Sequence, residues 1–108
     1  MKLFYDHLII DLDDVYAEIE HLEVDGKTRR RLIRIVDDTT HHTVLDTILS
    51  HLAKDKHEQF LDRFHRAPHD PEHLSFLKEH IADIEEKITA KVKKVKEKLL
   101  REFRNLGH

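Results

Sequence analysis

"KTRRRLIRIVDDTTHHTVLDTILSHLA", residues 27–53, decides how this chain folds. On a helical wheel Leu32, Ile35 and Val36 share one side, while Val44, Leu45, Ile48 and Leu52 share a side nearly opposite. Two readings follow. Either two helices meet at a break near Asp37–Thr40, with Thr39 or Thr40 capping the restart, or one helix packs on different partners along its length. His41 falls within the second apolar face and reads as a hydrogen-bonded core or boundary histidine rather than a ligand.

The flanking segments are helical in pattern too. Tyr5, Leu8, Leu12, Val15, Ile19 and Leu22 follow one another at intervals of 3, 4, 3, 4 and 3, a heptad seam on one helix. Asp11, Asp13, Asp14, Glu18 and Glu20 fall mostly off that seam, and Asp25-Gly26 ends the element. "VDGK" (24–27) also suits a hairpin turn between "LEV" and "RLIRIV", but the long helical patterns around it favour helix. Downstream, "DKHEQFLDRFHRAP" (55–68) opens with Asp55 three residues before Glu58, a capping-box spacing. Phe60, Leu61 and Phe64 form its apolar face and Pro68 ends it. "DPEHLSFLKEHI" (70–81) has Asp70 as cap and Pro71 at the first helical position. In "DIEEKITAKVKKVKEKLLREFRNLG" (83–107), Asp83 with Glu86 repeats the box and Ile84, Ile88, Val92, Val95 and Leu99 form the seam. Gly107 sits where a left-handed C-terminal residue is favoured. The expectation is an all-α single domain, a small bundle of five or six helices, with an acidic N-terminal helix over 1–26 and a helical core over 27–106.

Composition agrees. The 108 residues are 39% hydrophobic and 38% charged, with only two Gly and two Pro, which fits one folded helical domain with a modest core. There is no Cys, so disulfides, thiol catalysis and Cys-ligated metal centres are excluded. The longest apolar runs are cut by Asp or His; neither a signal peptide nor a membrane span is expected, and a cytoplasmic location is the default. Formal charge is −3, too weak for bulk attraction to nucleic acid. Its distribution is uneven. Residues 1–26 hold eight acids and one base, 27–36 five bases and no acid, and 91–108 seven bases and two acids. Acidic and basic elements packed side by side explain this most simply.

"HHTVLDTILSHL" (41–52), "EQFLDRFHRAPHDPEHLSFLKEHIADIEEKI" (58–88) and the Lys/Glu-rich helix that follows resemble a small helical domain of unknown function. That domain occurs in short proteins of uncultivated candidate-phyla bacteria. The resemblance covers roughly residues 28–104 and rests on pattern. It implies an all-helical fold; the family has no established activity to carry over.

Eleven histidines are the compositional oddity. In "HRAPHDPEH" (65–73), His65, His69 and His73 stand at four-residue intervals, the spacing of imidazole ligands on one helix face. Pro68 and Asp70-Pro71 interrupt the helix between them, so a capped joint is the preferred reading and a site for Zn²⁺, Ni²⁺ or Cu²⁺ the alternative. Carboxylate–x–x–His occurs at Glu18/His21, Asp38/His41, Asp62/His65 and Asp70/His73, the pattern of di-iron bundles. With 22 acids in 108 residues it exceeds chance only weakly. Asp38, His42 and Asp46 form a row read as a solvated ion-pair face rather than a pH switch. "DGKT" (25–28) lacks the first glycine of a phosphate-binding loop, His21 standing in its place. Arg29, Arg30, Arg31 and Arg34, with the basic last helix, form a cationic patch without interleaved aromatics to stack on bases. Ser50 and Ser75 are the only serines, and neither lies on a Gly-flanked turn.

The functional expectation is a non-catalytic interaction or accessory protein without a cofactor. Its interaction residues would be Tyr5, Leu8, Leu12, Val15, Ile19 and Leu22, offered to a protein partner or to a second copy. A His-based metal-binding protein is the first alternative. A weak nucleic-acid binder using the basic helices is the second, and it is disfavoured.

Overall fold

The computed structural model describes residues 3–9 and 12–106. Five α-helices are present among them: α1 Asp13–His21, α2 Gly26–His51, α3 His57–Arg66, α4 Glu72–His80 and α5 Ile84–Leu106. Short 3₁₀ turns, Asp6–Leu8 and Lys54–Lys56, precede α1 and α3, and no strand occurs among the described residues. The molecule is an elongated bundle of 46 × 24 × 21 Å. None of these helices is long and apolar enough to cross a membrane.

The second reading of residues 27–53 is the one realised: α2 runs unbroken for 26 residues. Asp25 starts it, its Oδ1 accepting from the Thr28 amide at 2.7 Å. That bond, helped by Arg31 and Arg30, holds the Asp25 carboxyl below its ordinary value. The hairpin alternative at 24–27 therefore does not form. The polar "DDTTHH" stretch does not break the helix because it contains neither Gly nor Pro, and the buried Thr40 hydroxyl within it, like those of the next turns, finds a partner inside the helix. Thr40, Thr43, Thr47 and Ser50 donate to the carbonyls of Val36, Thr39, Thr43 and Asp46 at 2.6–2.8 Å. Thr40, only 2% exposed, can thus be buried without an orphaned donor.

The switch of apolar face along α2 creates two cores. In the smaller, Val36 packs with Val15 and Ile19 of α1 and with Leu99 and Phe103 of α5. In the larger, Val44, Ile48 and Leu52 meet Phe60, Phe64, Leu77, Ile81 and the α5 residues Ile84, Ile88 and Val92. α5 therefore lies antiparallel to α2, and its expected seam, extended to Phe103, serves both cores.

The single N-terminal helix over 1–26 is corrected. Tyr5 and Leu8 join the larger core, Val15 and Ile19 the smaller, and the path between them is a 3₁₀ turn followed by the short α1. Adjacent Phe4 and Tyr5 are 5% and 1% exposed. Neighbours on a helix point about 100° apart, too far for one narrow seam to bury both; a non-helical segment does it. Asp11, also expected on this helix, and Gly107 lie outside the described residues. The Asp55–Glu58 box is corrected as well: Asp55 sits within the 3₁₀ turn, and Lys56 precedes α3 without a side-chain cap. Asp83 turns the chain between α4 and α5 with φ 56°, a left-handed conformation that Asp tolerates better than most residues. It starts α5 through its carbonyl, which accepts from the Lys87 amide at 3.0 Å, rather than through a box with Glu86.

Candidate functional site

The joint "HRAPHDPEH" is built as a cap. Asp70 Oδ1 accepts from the Glu72 amide at 3.0 Å and the Asp70 carbonyl from the His73 amide at 3.2 Å. The helix begins one residue later than expected, with Pro71 rather than Asp70 at the N-cap position and Glu72 the first helical residue, so Asp70 turns the chain into α4 from one residue further out. His73 is only 4% exposed and donates Nε2–H to the Ala67 carbonyl at 2.6 Å. Its ring stands edge-on to Phe4, Phe60 and Phe64, with centroids at 5.2–6.3 Å. The Phe4 amide donates to Pro68 at 2.9 Å, tying the N-terminal segment to the same joint. His65 and His69 are exposed. The interval of four does not place the three rings on one face, because Pro68 and Pro71 redirect the chain between them. No group of three or more His, Asp or Glu side chains among the described residues is arranged to hold a metal ion.

A shared role of the histidines was not visible from spacing. His21 and His51, the last residues of α1 and α2, donate Nδ1–H to the Ala17 and Thr47 carbonyls. His57, the first residue of α3, donates Nε2–H to Leu52, which closes α2. With His73, four histidines bond carbonyls at or near helix ends. Those of Leu52 and Ala67 lie just past their helices and lack an intrahelical donor, while those of Ala17 and Thr47 stand one turn inside and gain a second donor. The available signal was position: each follows a long apolar pattern or precedes the next one.

The seam residues Tyr5, Leu8, Val15, Ile19 and Leu22 are buried inside the monomer, and Leu12 is half-buried against the smaller core. As folded they close the molecule rather than offer a surface. The acidic α1 lies beside the basic α5: Lys96 pairs with Asp14 at 3.2 Å and Arg104 with Glu18 at 3.1 Å. About half a turn round α5 from Lys96, Lys91, Lys94, Lys98 and Arg101 form an exposed row at intervals of 3, 4 and 3, with no ion pair among the described residues. Because α2 and α5 are antiparallel, the exposed Arg30, Arg31 and Arg34 stand at the same end of the molecule as Lys98 and Arg101. Arg29 departs from the expected patch. It is half-buried, and one of its terminal nitrogens donates to the Leu22 carbonyl at 3.3 Å.

A cavity of about 480 Å³ opens where the two cores adjoin, lined by Leu3, Asp6, Ile9, Leu12, Tyr16, Asp37, Thr40 and His41. The only two tyrosines of the chain direct their hydroxyls to this boundary. Tyr5 is hydrogen-bonded to His41 Nδ1 at 2.5 Å, and Tyr16 donates to Asp37 Oδ1 at 2.7 Å. Burial, and then the Asp6 charge, push the Tyr5 phenol well above its ordinary value. Burial, and then the hydrogen bond and charge of Asp37, push Tyr16 up to about 12. Of the lining residues only His41 drew notice in the sequence, as a boundary histidine, and that is where it sits.

The chain matches no protein-family model, no curated protein and no solved structure.

Proposed function

We propose that the chain is a non-catalytic interaction module that docks an acidic segment of a protein partner along the outer face of α5. One observation carries this reading. Ion pairs with α1 occupy Lys96 and Arg104, while Lys91, Lys94, Lys98 and Arg101 on the opposite side form an exposed cationic row. A straight row on a rigid helix complements an acidic helix or strand laid beside it, and it sets encounter rate and register more than raw affinity. A protein is favoured over nucleic acid because the whole chain carries −3 and the row has no aromatic side chain to stack on a base. Membership of residues 28–104 in the helical domain of candidate-phyla bacteria and a cytoplasmic address belong to the same proposal and add no activity to it.

The test is fluorescence anisotropy with two labelled probes, a Glu-rich peptide of about 20 residues and a single-stranded DNA of similar length. The peptide should bind, and should weaken as salt rises from about 50 to 200 mM. Lys94→Glu with Lys98→Glu should weaken it at least about tenfold without loss of helix content. Preference for the DNA, or binding that ignores both salt and charge reversal, would refute the reading.

A further inference from the structure

We infer that the cavity between the two cores is a binding site for a small organic cation with an apolar body, such as an aryl-alkyl amine. The inference does not rest on the cationic row; the two surfaces share no residue. The volume of about 480 Å³ lies within the range of small-molecule pockets. Its lining divides chemically. Leu3 and Ile9, packed against the larger core, and Leu12, packed against the smaller, are half-buried and form the apolar part of the wall. Asp6 and Asp37 supply carboxylates, and among the described residues no Lys or Arg lines the cavity.

Each carboxylate is held in place by one oxygen and keeps the other open. Asp6 Oδ2 accepts from the Leu3 amide at 2.8 Å, and Asp37 Oδ1 from the Tyr16 hydroxyl at 2.7 Å. Their second oxygens have no hydrogen-bond partner among the described residues. His41 is fixed by Tyr5 through one ring nitrogen, leaving its other nitrogen for a ligand. Pre-positioned acceptors facing an apolar wall select a ligand with donors at one end and hydrocarbon at the other. An anion would meet two carboxylates and, among the described lining residues, no Lys or Arg. A bare divalent ion would find only two carboxylates in a cavity far larger than its coordination shell.

The test uses the full chain and three probes with the same ring: 2-phenylethylammonium, 2-phenylethanol and phenylacetate. Backbone amide resonances are followed by NMR during each titration. The ammonium probe should give saturable shifts centred on residues 6–9, 12–16 and 37–41. The alcohol should bind at least about tenfold more weakly, and phenylacetate not at all, because charge-assisted hydrogen bonds are about twice as strong as neutral ones. Asp6→Asn and Asp37→Asn each keep an acceptor oxygen and remove a charge, and either should weaken the ammonium probe about tenfold in a protein of unchanged circular dichroism. Should one variant lose its fold, the other and the three-probe series still decide. Equal binding of all three probes, absence of saturable shifts with the ammonium, or undiminished binding in a folded Asn variant would overturn the inference.

Discussion

The two ends of α2 are held in different ways. At its C-terminal end, Val44, Ile48 and Leu52 enter a core crowded with rings, where Phe4, Tyr5, Phe60, Phe64 and His73 meet edge-on or stacked. At its N-terminal end, Val36 lies among aliphatic residues and Phe103 in a three-helix packing whose rim is tied by Asp14–Lys96 and Glu18–Arg104. Large apolar area stabilises one end, and a thin core with exposed ion pairs closes the other. A single helix can therefore span regions of unequal stability.

The largest expected effect tests the aromatic end. Phe60, fully buried, should cost about 3–5 kcal/mol when changed to Ala, and chemical denaturation should show the loss as one cooperative transition. Ile19→Ala should cost about 2–4 kcal/mol in the smaller core. Its signature should be local: hydrogen exchange accelerates across α1 and the first turns of α2 while α3 and α4 stay protected. If the two variants lose protection over the same residues, the ends are not energetically distinct.

Alkali probes the boundary between the cores. Both phenols are raised in the folded state, chiefly by burial, so the fold favours their neutral forms. That contribution is complete below the ordinary value of 10.0 and is lost as pH rises from there through the folded values, about 12 for Tyr16. Tyrosinate absorbance should appear late and together with loss of helix. An early, unperturbed titration of both phenols would break the picture. Smaller still, Asp70→Ala should cost about 1 kcal/mol through the lost cap, whereas replacing the exposed His65 and His69 together should leave the melting midpoint nearly unchanged. At the bottom of the scale, Glu18→Gln should cost a few tenths of a kcal/mol, by roughly the surface-pair scale, and the difference should vanish in high salt.

Helix periodicity is a local property, and what depends on it was legible: the seam of α5, the apolar face of α3, the start of α4 to within one residue and the two-faced pattern of α2. The split at the N-terminus was less so, because it depends on where Phe4 and Tyr5 find room, and that is set by α3 and α4. A clue was present in the wide apolar runs Leu3–Tyr5 and Leu8–Ile10, broader than a heptad seam needs. The cavity was the least legible. Its hydrogen bonds join Tyr5 to His41 and Tyr16 to Asp37, pairs 36 and 21 positions apart, and no short-range spacing encodes them. The histidines at helix ends belong to an intermediate case, since their placement was readable and their acceptors were not.

The docking of Phe4 also has a consequence in time. Its ring partners Phe60, Phe64 and His73, and the Pro68 carbonyl that its amide meets, lie far downstream. At a synthesis rate of about 5–20 residues per second, Phe4 leaves the ribosome several seconds before His73 does. Until the end of that interval the apolar Leu3-Phe4-Tyr5 run lacks the last of its partners, the Pro68 carbonyl and the His73 ring. Production of the larger core is thus delayed until α4 emerges, and a nascent chain stalled before that point would present this run to whatever binds exposed aromatic residues.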